Sequence, residues 1–205
     1  MKKCITAIVG VILMISLFGC GTKDGHDIYK EIYKRYNSME SYYAEAEVIC
    51  KNDRSENVAH IRQFYMAPDK YSMVVDSPEE IAGSGYVFNG KTILVKSGFG
   101  KTEVMDFCLP DERSALCITD FFAEYYKSEE TAIATASGLK NGDVTILECI
   151  VSGRKPTMFR QKLWIDNNTY LPVKLETYDV NNNVVVTIKY NEFKRNCDID
   201  KTLFK

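Results

Sequence analysis

Histidine is almost missing from this 205-residue chain: His26 and His60 are the only two. No Cys-x-x-Cys pair and no His-Glu-x-x-His is present, which removes the usual zinc arrangements as sequence patterns. Gly-x-Ser-x-Gly is missing as well, so there is no nucleophile elbow. A hydrolase built on this chain would work almost without imidazole, and the reading is that it is not an enzyme. No metal and no cofactor is expected. A basic excess is lacking too: 26 Lys and Arg stand against 28 Asp and Glu, a formal charge of −2. That mild acidity argues against nucleic acid, which calls for a basic patch. After the first twenty residues nothing approaches ~20 consecutive apolar residues, so the remainder does not read as membrane-spanning helix. What is present is globular: 45% hydrophobic, 26% charged and 12% aromatic. Disorder is excluded by that balance.

The N-terminus is of a different kind. Lys2-Lys3 precede an apolar run from Cys4 to Phe18, which ends in Leu17-Phe18-Gly19-Cys20. A charged head, an apolar stretch of this length and a small residue before the cut describe a secretory signal. The closing tetrapeptide resembles the lipobox of bacterial lipoproteins, in which the cysteine is diacylated and becomes the first mature residue. Phe18 departs from that pattern, where a small or β-branched residue is usual. The expectation is a signal peptide over 1–19, a lipidated tether over 20–26 with Cys20 as the lipid site, and one domain over 27–205. Loss of Lys2 and Lys3 takes the charge from −2 to −4. The chain would sit on the extracytoplasmic face of a bacterial cell or forespore membrane.

Five cysteines then remain, Cys50, Cys108, Cys117, Cys149 and Cys197, an odd number and widely spread. Cys149 lies in Thr145-Leu147-Cys149-Val151, the apolar side of an alternating run, where cysteine acts as a small hydrophobe. A Cys108–Cys117 bridge is the alternative that stays open.

Hydrophobic spacing divides the domain into elements. Ile28, Tyr29, Ile32, Tyr33, Tyr36 and Met39 recur at helical spacing from about His26-Asp27 onward. From Ser41 the period becomes two, with strands expected over Tyr43–Ile49, Val58–Met66 and Tyr71–Val75. Asn89-Gly90, between Tyr86–Phe88 and Thr92–Val95, is a strong hairpin signal, and Lys101–Phe107 follows. A second helix is expected after Pro110-Asp111, because Ile118, Phe121, Phe122, Tyr125 and Tyr126 fit the i, i+3, i+4, i+7, i+8 template. Asn141-Gly142 turns Thr131–Ala136 into Val144–Val151. Phe159–Ile165, then Leu171, Val173, Leu175 and Thr177 on one face, then Val184–Phe193 complete the pattern, with turns at Asp166–Asn168 and Asn181–Asn183. The fold class is α+β: about ten antiparallel strands, curled into a half-open barrel wrapped around two or more helices.

One stretch formally matches a nucleotide site. Gly85-Tyr86-Val87-Phe88-Asn89-Gly90-Lys91-Thr92 satisfies G-x-x-x-x-G-K-[ST]. A phosphate cradle needs a helix after the loop, whereas β-branched Thr92-Ile93-Leu94-Val95 follows here. The hairpin is the better reading. Glu79-Glu80, Asp111-Glu112 and Glu129-Glu130 are adjacent acids, which do not converge on one point as catalytic carboxylates do. They read as solvated. Asn167-Asn168-Thr169 reads as turn chemistry.

Several short motifs carry a resemblance. Ser38-Met39-Glu40-Ser41-Tyr42-Tyr43, Met66-Ala67-Pro68-Asp69-Lys70-Tyr71 and Phe88-Asn89-Gly90-Lys91 resemble the opening of the LolA/LolB/RseB-like lipoprotein fold family. Leu163-Trp164-Ile165-Asp166, Thr169–Lys174, Ile188-Lys189-Tyr190 and Phe193 resemble its tail, with Ile199-Asp200 and Leu203-Phe204 closing it. Within that family the chain is similar to the germination lipoproteins of spore-forming bacteria. The resemblance implies a lipid-anchored, non-enzymatic sporulation protein required for germination. It implies as partner the spore cortex N-acetylmuramoyl-L-alanine amidase that starts muramic-δ-lactam formation. A lipid or lipoprotein carrier, or an envelope-stress sensor, is the alternative within the same fold. Open sheet edges also make a homodimer an expectation. No functional residue beyond Cys20 comes with the resemblance.

Overall fold

The computed structural model describes residues 25–52, 54–98, 102–106, 116–139 and 142–205. Helix α1 (Gly25–Asn37) leads into strands β1 (Ser41–Lys51), β2 (Glu56–Met66) and β3 (Lys70–Ser77). After a 3-10 turn at Glu79–Ile81 come β4 (Gly85–Phe88), β5 (Thr92–Lys96) and β6 (Thr102–Asp106). Helix α2 (Ile118–Lys127) connects these to β7 (Thr131–Leu139), β8 (Gly142–Lys155), β9 (Met158–Asp166), β10 (Pro172–Tyr178) and β11 (Val184–Arg195). A second 3-10 turn, Lys201–Phe204, closes the chain.

All eleven strands form one sheet in the order β6-β5-β4-β3-β2-β1-β11-β10-β9-β8-β7. Two antiparallel meanders, β1 to β6 and β7 to β11, are joined where β1 pairs with β11. The sheet is not closed; β6 and β7 are its edges. Eleven strands at ~4.8 Å would span on the order of 50 Å if laid flat. Yet Ile93 on β5 and Leu147 on β8 share one core with Ile32 of α1 and Phe121 of α2. The sheet therefore curls around both helices, which is the half-open barrel that the sequence pattern and the resemblance imply.

Alternation decides which side chains enter that core. On β1, Tyr42, Ala44, Ala46 and Val48 point inward and are buried, while Tyr43, Glu45 and Glu47 lie on the outer face. On β8 the inward set is Thr145, Leu147, Cys149 and Val151, all buried as the alternation requires. The outer face has a smaller core of its own. There Val87, Ile199 and Phe204 pack with Tyr43, Phe64 and Leu94, so the C-terminal segment covers the outer side of the first meander.

The eleven strands among the described residues agree with the expected count of about ten. Three details differ from the sequence pattern. Helix α1 already begins at Gly25, inside the expected 20–26 tether. On β10 the expected inward run fails at its start: Pro172 is buried and Val173 is not. A register shift between Pro172 and Lys174 against β9 explains it, because a bulge adds one residue and reverses the facing of what precedes it. Finally, Tyr33 and Tyr126 sit on the two helical stripes but are 45% and 39% exposed. Their rings meet edge to face at 5.2 Å, at the solvent side of the contact between the helices.

Candidate partner interface

The inner trough is where a ligand of this architecture would be sought, and aromatic side chains fill it. Tyr36 stacks on Phe122 with centroids 4.3 Å apart, and Phe121 on Tyr125 at 5.8 Å. Tyr42, Tyr71 and Phe121 are completely buried. Polar groups are spread through the same space. The Tyr36 hydroxyl donates to the Tyr170 carbonyl at 3.1 Å, and Gln63 Nε2 donates to the Leu116 carbonyl at 2.9 Å. Burial pushes the hydroxyls of Tyr42, Tyr71 and Tyr190 well above the ordinary tyrosine range, so they stay neutral. An acyl chain entering here would displace packed rings and strip partners from hydroxyl groups. A groove of about 360 Å³ opens between the end of α1, α2 and the β2–β3 turn, but Asp69 and Asp120 join Tyr36, Phe122 and Tyr126 in its lining. Neither feature suits a hydrocarbon.

The formal nucleotide motif lies on the β4–β5 hairpin, as the alternation implies. Gly85 is required because a Cβ there would stand 2.0 Å from the Met73 carbonyl oxygen. Gly90 turns the hairpin with φ +95, and Asn89 Oδ1 accepts from the N–H groups of Lys91 and Thr92, both at 3.0 Å. Thr92 opens strand β5, where a phosphate site needs a helix.

Glu79, Glu80, Glu129 and Glu130 are exposed. His26 lies on α1 and His60 on β2, opposite Glu47 of β1 on the outer face. Among the described residues no group of three or more His, Cys, Asp or Glu comes together to hold a metal ion. Cys117 and Cys149 are buried, Cys197 is half-buried and Cys50 exposed. The open Cys108–Cys117 alternative turns on Cys108, outside the described residues; Cys117 itself is buried in the core at the start of α2. Burial pushes the Cys149 thiol up to about 12, with Glu124 and Glu148 adding to it. Cys20, Cys108, the Asp111-Glu112 pair and the signal over 1–19 lie outside the described residues.

The outer face of β8, β9 and β10 is organised differently. Arg160, Lys162 and Trp164 on β9 stand across from Tyr178, Glu176 and Lys174 on β10. The Lys174 ammonium lies 3.8 Å from the Trp164 ring centroid and 2.7 Å from Glu176 Oε1. The Arg160 guanidinium lies 4.8 Å over Tyr178. Glu148 on β8 joins the array, accepting from Arg160 Nη1 at 3.0 Å and pairing with Lys162 at 2.9 Å. Burial and the hydrogen bond to Glu176 raise the Tyr178 phenol above its ordinary range. Ion pairs that remain open to solvent, as these half-exposed ones do, each contribute only ~0–1 kcal/mol to folding. Their value is a rigid, half-exposed set of Trp, Tyr and Arg, the residue types that dominate binding hot spots.

Sequence reasoning missed this array. It placed Trp164 among structural motifs, although the inward run of Gln161, Leu163 and Ile165 already sends Arg160, Lys162 and Trp164 outward. What no single strand could reveal was the cross-strand partner of each.

Over residues 1–204 the chain matches the family described as "YdcC: Sporulation protein YdcC-like". It is 19% identical over 204 residues to "Sporulation protein YdcC" of Bacillus subtilis (strain 168), covering 99% of this chain and 60% of that protein. The chain thus spans about three-fifths of the length of the curated relative it matches. Among solved structures it is similar to an uncharacterized conserved protein from Thermus thermophilus, with TM-score 0.55 and 13% identity over 87% of this chain and 91% of that one. It is also similar to a chain in the structure of the CwlD amidase from Clostridioides difficile in complex with the GerS lipoprotein. That match has TM-score 0.52 and 24% identity, covering 84% of this chain and 96% of the other. At these identities the likeness is one of fold.

Proposed function

The chain belongs to the YdcC-like sporulation protein family, and from that membership we propose that it is a lipid-anchored, non-enzymatic sporulation protein required for spore germination. It binds and activates a cortex N-acetylmuramoyl-L-alanine amidase, so that muramic-δ-lactam can be formed. The observation that carries this reading is the match to the structure in which the GerS lipoprotein is held in complex with the CwlD amidase. The contact is assigned to the outer face around Trp164, Lys174, Arg160 and Tyr178, because the inner face is consumed by the helices. Diacylation at Cys20 confines the pair to one membrane surface and raises their effective concentration. At ~0.8 kcal/mol per buried CH₂, two acyl chains anchor stably where one would be marginal.

The carrier and stress-sensor alternatives share the fold but have no specific observation in their favour. A trough stacked with Tyr36, Phe121, Phe122 and Tyr125 counts against an apolar cargo.

The test is co-purification of the full-length chain with the spore amidase, together with amidase turnover in its presence and absence. Stable co-elution and a rise in turnover are expected. Independent elution with unchanged turnover would sink the proposal. A Cys20→Ala variant should move to the soluble fraction and lower muramic-δ-lactam; full germination from that soluble variant would remove the anchor from the mechanism.

A further inference from the structure

The sheet covers α1 and α2 from one side only. On α1 the exposed positions among 26–37 are His26, Asp27, Lys30, Tyr33, Lys34 and Asn37, which recur at helical spacing and form one stripe turned away from the core. On α2 they are Ala123, Tyr126 and Lys127. The two stripes meet where Tyr33 and Tyr126 touch edge to face at 5.2 Å, with 45% and 39% of their surfaces open. Behind them the rings continue inward, from Tyr126 to Tyr125 at 6.0 Å and from Tyr125 to Tyr29 at 6.4 Å. A packed aromatic ridge thus holds two half-open tyrosines at the surface, each with an apolar ring and a polar tip.

The charge on this face is predominantly positive. Lys30, Lys34 and Lys127 are exposed on the two helices, against Asp27 alone among the exposed acids. Of the half-buried acids, Glu31 pairs with Arg35 Nε at 2.5 Å and Glu124 accepts from the Ser152 N–H at 2.8 Å. Asp120 lines the groove beside the β2–β3 turn, and Glu129 and Glu130 follow beyond the end of α2. Lysines flanking open tyrosines suit the surface of an anionic bilayer, where rings settle at headgroup level and ammonium groups meet lipid phosphates. The chain before α1 limits where this face can be. Cys20 and Gly25 are five residues apart in the sequence, a span of no more than about 18 Å. Tyr33 lies a further eight residues along α1, ~12 Å at the helical rise. The stripe on α1 is therefore the surface that begins at the tether.

We propose that the exposed face of α1 and α2 docks on the membrane surface, with Tyr33 and Tyr126 in the headgroup layer and Lys30, Lys34 and Lys127 on the phosphates of anionic lipids. The inference rests on the lipidation of Cys20 proposed above, which supplies the effective concentration that makes so small a contact sufficient. Docked in this way, the domain turns the convex side of its sheet outward. The array around Trp164 then faces away from the bilayer, toward a partner in the same compartment. The acyl chains set where the domain is held, and the helices set which way it faces.

Quenching by brominated lipid tests the orientation. The full-length chain is reconstituted in vesicles of phosphatidylglycerol and phosphatidylcholine in equal parts, with and without bromine on the upper acyl chain, and tryptophan emission is read. Trp164 is the only tryptophan of the unaltered chain. Tyr33→Trp and Tyr126→Trp are each placed on a Trp164→Phe background, so that a folding failure at one exposed position leaves the other. A ring at the headgroup–acyl boundary lies ~5–10 Å deep, so bromine should lower emission at 33 and 126 about twofold or more, and that of Trp164 by less than about a tenth. Lys30→Glu, Lys34→Glu and Lys127→Glu together should restore the emission at 33 while the chain still floats with the vesicles. A chain that floats but is quenched at 33 and 126 no more than at Trp164 would overturn the docking and leave the anchor standing. Quenching of Trp164 equal to that at 33 would also overturn it, because the convex face would then lie on the bilayer. Failure of the unaltered chain to float would take down the anchor and the docking together.

Discussion

The inner and outer faces of the second meander are built from the same five strands and share almost nothing else. Inward, Leu147, Leu163, Leu175 and Ile188 are completely buried against two aromatic helices. Outward, Glu148 pairs with Lys162, Glu176 with Lys174 and Lys189 with Glu47. Two cations of that face, Lys174 and Arg160, rest on Trp164 and Tyr178. One face is held by burial and the other by paired charges, and these differ in energy by several-fold. The lesson concerns function. A face that stabilises the fold through Phe121 cannot also open to a partner without unfolding, whereas the outer array can exchange partners at little cost to stability.

Four measurements would break or sharpen that contrast. The largest effect is expected inside: Phe121→Ala removes a ring that is fully buried, and urea unfolding should show a loss of about 3–5 kcal/mol. A loss below about 1 kcal/mol would mean the trough is looser than its stacking implies. Next is Trp164→Ala on the outer face. Folding should fall by only about 1 kcal/mol, the scale of an exposed cation–π contact, while affinity for the proposed amidase partner should fall tenfold or more, as for a hot-spot residue. Equal effects on both would erase the distinction between the faces.

Thiol reactivity gives a third measurement. Maleimide at pH 8 should modify exposed Cys50 in the native protein, whereas inward Cys149, its thiol pushed up to about 12, should react only after unfolding. Native-state labelling of Cys149 would show that the inner face opens. The smallest effect concerns the outer C-terminal cover. Asp200 accepts from the Thr202 N–H at 2.8 Å, and that bond holds its carboxyl below the ordinary carboxylate range. A depressed native value stabilises above the unfolded pKa of about 3.9 and is lost as pH falls through the native one. Protection of the Thr202 amide against hydrogen exchange should therefore drop only in that acid window, and Asp200→Asn should flatten the profile.

Much of the architecture was legible because its signals are local. Asn89-Gly90, the inward set Thr145-Leu147-Cys149-Val151 and the stripe from Ile118 to Tyr125 each depend on residues within a few positions of one another. The departures come from long range. The bulge at Val173 is set by pairing with β9, and the exposure of Tyr33 and Tyr126 by how two helices far apart in the chain lie side by side. The outer array was hidden for the same reason. Trp164 and Lys174 have no visible connection until β9 and β10 are put in register.

By itself, then, the sequence determined the period of each element and the hairpin turns, the one at Asn89-Gly90 included, because these follow from neighbouring residues and backbone sterics. It also holds the lipobox-like Leu17-Phe18-Gly19-Cys20, a pattern read without reference to any fold. Only the tertiary structure decided that aromatic rings pack the trough among the described residues, that cations sit on Trp164 and Tyr178, and that β6 and β7 are the two edges of the sheet. Each of those depends on which strands and helices meet, and chain entropy leaves that choice to the collapsed core rather than to any single segment.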